Sequence, residues 1–184
     1  ITKLSEALQD STRFIGIHFF SPVEKMNLVE IIKSKQSNEK SLAVALDYVS
    51  LLKKTPIVVN DSRGFYANRC IIPYINEGLR MLNEGIEPAL IENSAKHIGM
   101  PVGPLQLLDE LSVSLALNVA KETKEALGSE YEETGTESIL LEMSQKNRLG
   151  RKELAGFYEY DDKGRRLKLW EGLRDLNGVS KPAN

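Results

Sequence analysis

Residues 27–34, NLVEIIKS, constrain the fold more than any other stretch of the chain. Leu28, Val29, Ile31 and Ile32 form a short apolar run bounded by polar residues, which predicts a β-strand. Successive side chains on a strand point to opposite faces, so apolar neighbours on both sides of Glu30 imply that both faces of the sheet are covered. Glu30 is then a carboxylate in a covered strand. An unpaired charge there would cost a large part of a domain's stability, so Glu30 requires a partner.

The segments around this strand define its class. RFIGIHFFSP predicts a second buried strand over residues 13–20, with His18 near its end. Leu42, Leu46 and Val49 recur on one face of a predicted helix over 38–54, and TPIVVND predicts a further strand over 55–61. Strand, strand, helix, strand calls for at least one parallel pair with the helix as crossover, so this region reads as the tail of an α/β sheet. ITKLSEALQD, before it, predicts a helix with Thr2 as its cap. Because the chain opens on Ile1 inside that helix, it is read as a piece of a longer protein.

At NDSRG, residues 60–64, the character changes, and the remainder is mainly helical. A helix is predicted over 64–83, interrupted by Pro73. Pro88 opens another that Gly99 closes, and Pro104 opens a third running to about Leu127. Residues 129–136 read as a mobile acidic loop, 137–147 as a helix, GFYEYDDKGRRLKLW as a hairpin turning at Asp162–Gly164, and GVSKPAN as frayed.

The residue inventory excludes several classes of function. A net charge of −2 gives no basic excess for nucleic acid or an anionic membrane, and no run approaches the roughly 18 apolar residues of a membrane span. The single cysteine, Cys70, cannot form an internal disulfide, and no Cys/His cluster has the spacing of a metal site. There is no Gly-x-Gly-x-x-Gly, Walker motif or nucleophile elbow.

His18 and Glu30 lie near corresponding ends of successive strands. If those strands are neighbours, the carboxylate can accept from one imidazole nitrogen and leave the other to take a substrate proton. A core histidine beside a glutamate that reaches a sheet edge would give the same pattern. Asn68 falls on the line Phe65, Asn68, Ile72, Ile75, Leu79, Leu82, which predicts a buried amide one turn into its helix, where a cleft between the two regions would open; it could equally tie helix to sheet. His97 is expected to bond carbonyls at its helix end. GMPVGP, residues 99–104, is a rigid turn whose amides could meet a polar ligand or simply join two helices. Phe157, Tyr158, Tyr160 and Trp170 read as a minor core.

RFIGIHFFSPVEKMNLVEIIKS, KTPIVVNDSRGFYANR and GMPVGPLQLLDE resemble the 3-hydroxyacyl-CoA dehydrogenase family, in particular the dehydrogenase part of bacterial multifunctional fatty-acid oxidation proteins. The likeness runs from about Thr12 through GRKELAGFYEY. It implies an α/β then all-α chain: the C-terminal part of a Rossmann-type NAD-binding domain over 1–61, then a helical substrate-binding and dimerisation domain over 62–184. It also implies that His18 is the catalytic base, Glu30 its orienting partner and Asn68 a substrate contact, while the family's glycine-rich NAD loop and an additional serine would precede Ile1. The implied reaction is oxidation of an L-3-hydroxyacyl-CoA to the ketone in fatty-acid β-oxidation. It would use NAD, bound mainly by residues outside this chain, and no metal. The implied setting is the cytoplasm, as a homodimer or in complex with a thiolase, and a lone fragment would be inactive. Two other readings remain: a non-catalytic dimerisation or docking module, and a different NAD-dependent hydroxyacid dehydrogenase.

Overall fold

The first strands form where the β-branched and aromatic runs place them. In this computed structural model, which describes residues 1–131 and 135–176, β1 spans Ile15–Phe19, β2 Leu28–Lys33 and β3 Thr55–Asn60. They make one sheet in the order β1-β2-β3. β1 pairs antiparallel with β2, and β2 pairs parallel with β3 through the crossover helix α2, Glu39–Leu51. The central strand is covered on both faces: Val29, Glu30, Ile31 and Ile32 are all buried. Ala45 and Val49 of α2 pack with Val29 and Ile31, and Ile15, Ile17, Phe19, Leu42 and Leu46 border them. Asn38 caps α2 by accepting from the Ser41 amide at 2.8 Å.

The opening helix, α1, is only Thr2–Ser5, and Thr2 is not its cap. Instead the Thr2 amide donates to Asp61 at 2.6 Å, so a carboxylate beyond β3 satisfies the donor.

The chain divides into two compact units, Ile1–Ile71 and Ile72–Asn184. A long helix, α3 (Ala67–Asn83), contains Pro73 and begins three residues later than its apolar spacing predicts. Gly64 and Phe65 both have positive φ, 74° and 51°, so a tight turn occupies the positions before it.

In the second unit Pro88 opens α4, Pro88–His97, and the following Gly99 has φ 97°. The single long helix expected from Pro104 is two helices, α5 (Pro104–Leu111) and α6 (Val113–Leu127). Ser112 breaks it: its φ is 87°, and its hydroxyl caps α6 by accepting from the Leu115 amide at 3.2 Å. Next come α7 (Glu137–Gln145) and a hairpin of β4 (Tyr158–Tyr160) and β5 (Arg166–Leu169). Its turn is held by Asp161, which accepts from the Lys163 and Arg165 amides. The core of this unit includes Leu79, Leu105, Ile139, Met143, Phe157 and Leu173. Part of the loop expected to be mobile, residues 132–134, and the end expected to be frayed lie outside the described residues.

Candidate active site

The antiparallel register places His18 directly opposite Glu30. The two strands therefore present an imidazole and a carboxylate side by side, and His18 Nδ1 lies 2.7 Å from Glu30 Oε2. Glu30 is completely buried, whereas the His18 side chain is 33 % exposed. The second carboxylate oxygen, Oε1, accepts from the amides of Tyr66 and Ala67, each at 2.9 Å. Those amides open α3, the positive end of that helix. So the carboxylate required by the sequence to find a partner finds three donors.

Electrostatics follow from this geometry. Burial acts to raise the Glu30 pKa, but the His18 hydrogen bond and those of the Ala67 and Tyr66 amides outweigh it, and the carboxyl is held below its ordinary value. An ionised Glu30 favours a proton on His18 Nδ1. The other nitrogen, Nε2, is then an acceptor. Phe20 and Phe65 contact the imidazole, with ring centroids 4.8 and 5.7 Å away.

Asn68 differs from its expectation. It is exposed, as are Arg69 and Cys70, because the buried stripe of α3 starts only at Ile75. An exposed amide is free of the demand for an internal partner. His97 does bond a carbonyl at its helix end: Nδ1 meets Asn93 O at 2.8 Å.

Two buried acids escaped notice in the sequence. Glu92 accepts from the Leu105 amide at 2.8 Å and from the Tyr158 hydroxyl at 2.7 Å, so the first turn of α5, just after the GMPVGP segment, meets an internal carboxylate. Asp109 accepts from the amides of Phe157 and Tyr158 and from the Tyr160 hydroxyl, at 2.8, 2.9 and 2.8 Å. The available signal was position: Pro88, Glu92 and Ala95 share one helical face, as do Leu105, Leu108 and Asp109.

Among the described residues no group of three or more His, Cys, Asp or Glu could hold a metal, and no helix is long and apolar enough to cross a membrane. A dinucleotide needs amides for its pyrophosphate. The amides opening α3 and α5 already serve Glu30 and Glu92.

Residues 1–62 match the model of the 3-hydroxyacyl-CoA dehydrogenase NAD binding domain, and residues 64–160 match that of the 3-hydroxyacyl-CoA dehydrogenase C-terminal domain. Among solved structures, the (S)-3-hydroxybutyryl-CoA dehydrogenase PaaH1 from Ralstonia eutropha is similar at 36 % identity and a TM-score of 0.78, over 88 % of this chain and 57 % of that one. FadB2 of M. tuberculosis is similar at 28 % identity with the same TM-score and the same coverage. The dehydrogenase part of multifunctional enzyme 1 from C. elegans is similar at 27 % identity and a TM-score of 0.65, over 97 % of this chain and 40 % of that one. The chain thus spans little more than half the length of the first two.

Proposed function

Because the chain belongs to the 3-hydroxyacyl-CoA dehydrogenase family, we propose that it carries the proton-transfer half of an active site that oxidises the 3-hydroxyl of an L-3-hydroxyacyl-CoA. One observation supports this above the others: a partly exposed imidazole paired at 2.7 Å with a buried, amide-held carboxylate. His18 Nε2 takes the hydroxyl proton. The electron pair of the broken O–H bond becomes the second bond of the ketone as the C3–H bond breaks. NAD, when bound, supplies the acceptor for the departing hydride. Glu30 keeps the Nδ1 proton in place and stabilises the imidazolium formed on proton transfer, the division of labour of a base and its orienter. Asn68, exposed in the first turn of α3, positions the substrate.

In this reading residues 1–61 complete an NAD-binding domain and residues 62–184 form the substrate domain. The dinucleotide's phosphates are bound by residues outside this chain, so the 184 residues alone do not turn over. The substrates are the hydroxyacyl-CoAs of fatty-acid β-oxidation, in a cytoplasmic multifunctional protein that forms a homodimer or joins a thiolase. PaaH1, by its name a 3-hydroxybutyryl-CoA enzyme, favours short acyl chains as the alternative.

The test is NADH-dependent reduction of acetoacetyl-CoA by the complete gene product and its His18→Ala variant. A loss of about 10²- to 10⁴-fold in kcat with assembly intact is expected. Oxidation of the hydroxyacyl-CoA should also slow on acidification, since a protonated imidazole cannot accept the hydroxyl proton. An unchanged rate in the variant would favour the docking-module reading, and turnover of free hydroxy acids in place of the thioester would favour a different dehydrogenase.

A further inference from the structure

The turn between β3 and α3 contains a conformation that an ordinary strand-to-helix connection does not need. Gly64 has φ 74°, which glycine adopts freely. Phe65 has φ 51°, a left-handed conformation that is strained for a bulky L-residue. Its local anchors are modest: its amide donates to the Ser62 carbonyl at 2.9 Å, and the Ser62 hydroxyl donates to its carbonyl at 3.4 Å.

The conformation does two things at the proposed site. It is followed immediately by the Tyr66 and Ala67 amides, both of which converge on Oε1 of Glu30. It also sets the half-buried Phe65 ring against the His18 imidazole, centroids 5.7 Å apart and planes inclined by 57°. One residue thus acts on both members of the pair, on the acid through the backbone and on the base through its ring. If the turn relaxed, Glu30 would keep its burial but lose two of three donors. Its Oε2 would then no longer be held in line with the Nδ1 proton.

We propose that Phe65 is a positioning residue for His18: its left-handed backbone aims two amides at Glu30, and its ring fixes the imidazole plane so that Nε2 faces the substrate hydroxyl. This rests on the reading of His18 as the base.

Substitutions at position 65 separate backbone from ring. Phe65→Gly keeps the left-handed turn and removes the ring. Phe65→Ala removes the ring but keeps the Cβ, so the steric strain of the positive φ remains without the ring packing that offsets it. Phe65→Tyr keeps both. In the 184-residue chain, imidazole ¹⁵N resonances report the tautomer of His18, with His97 as an internal reference. The Nδ1–H form of His18 should dominate in the native chain, Phe65→Tyr and Phe65→Gly, and lose its dominance in Phe65→Ala. In the complete gene product, kcat should fall at least tenfold in Phe65→Gly and further in Phe65→Ala, with KM changed less than threefold, and Phe65→Tyr should restore it. Native-like tautomer and kcat in both Phe65→Ala and Phe65→Gly would overturn the proposal. So would loss of the Nδ1–H form in Phe65→Gly, since that variant preserves the turn. If His18→Ala proves fully active, the base assignment fails instead, and the tautomer measurement distinguishes the two failures.

Discussion

Glu92 and Tyr158, sixty-six residues apart, are joined by a buried hydroxyl-to-carboxylate hydrogen bond of 2.7 Å. The same tyrosine donates its backbone amide to Asp109 at 2.9 Å, so it links the two buried acids of the second unit. Burial, followed by the bond to Glu92, raises its phenol pKa, and it remains a donor throughout the ordinary pH range. Tyr158→Phe leaves Glu92 Oε2 without that donor. A destabilisation of about 1–3 kcal/mol is expected in denaturant unfolding of the second unit. A midpoint identical to that of the native chain would count against the bond.

Asp109 should make stability fall with rising pH. Burial pushes its pKa from 3.8 up to about 6, against the opposing pull of the Phe157 and Tyr158 amides, the Tyr160 hydroxyl and the Arg148 cation. A raised folded value means that the folded state binds more protons than the unfolded one between these limits. The contribution is therefore complete below about pH 3.8 and lost as pH rises through 6, about 3 kcal/mol in all. Asp109→Asn, which cannot titrate, should flatten that slope even if it is less stable at every pH. Melting temperatures of both proteins from pH 4 to 7 decide the matter, and parallel curves would refute the assignment.

For Glu30 the sign is opposite. Its carboxyl is held below 4.5, so its contribution is present above that pH and disappears as the solution is acidified through the lower folded value. Glu30→Gln retains an oxygen for the Tyr66 and Ala67 amides but presents an NH₂ group to His18, which favours the wrong tautomer. The expected outcome is a folded protein whose complete form has lost about 10²- to 10⁴-fold in kcat. A variant with native kcat would show that the carboxylate does not orient the base.

The pairing of His18 with Glu30 was legible because a strand pattern fixes both register and face: a charge between Val29 and Ile31 admits few explanations other than a partner on the adjacent strand. Asn68 was misread because helical spacing was extended through Gly64 and Phe65, whose positive φ values delay the helix to Ala67 and leave its first turn exposed. Ser112 hid in a leucine-rich run for a similar reason. Nothing in its neighbours' hydrophobicity signals a left-handed backbone, and only its capping hydroxyl hints at a helix start. Glu92 and Asp109 sat on apolar helical faces, but their partners were not legible, for a different reason. Their donors lie 13 to 66 residues away, at separations that periodicity does not reach.

Dinucleotide binding can be tested on these 184 residues directly. With the amides that open α3 and α5 engaged by Glu30 and Glu92, the 184-residue chain should bind NAD weakly or not at all. Calorimetry showing micromolar affinity would demonstrate a cradle elsewhere in the chain.

Two glycines of the second unit separate steric from conformational demands. Gly103 has φ −71°, an ordinary value, yet a Cβ there would lie 2.3 Å from the Glu92 carboxylate. Gly99 has φ 97°, and nothing lies within 4 Å of the Cβ position. Gly99→Ala should cost about 1 kcal/mol, the conformational penalty alone. Gly103→Ala must displace Glu92 from the Leu105 amide and the Tyr158 hydroxyl, opening both ends of a buried polar link, and should cost about 2–3 kcal/mol. Because Glu92 is the obstacle, Glu92→Ala should relieve the clash. The double variant Gly103→Ala/Glu92→Ala should then be no less stable than Glu92→Ala alone, a strongly non-additive cycle. Equal costs for the two glycine substitutions, or additivity in the cycle, would mean that the carboxylate yields to the methyl group without losing its partners.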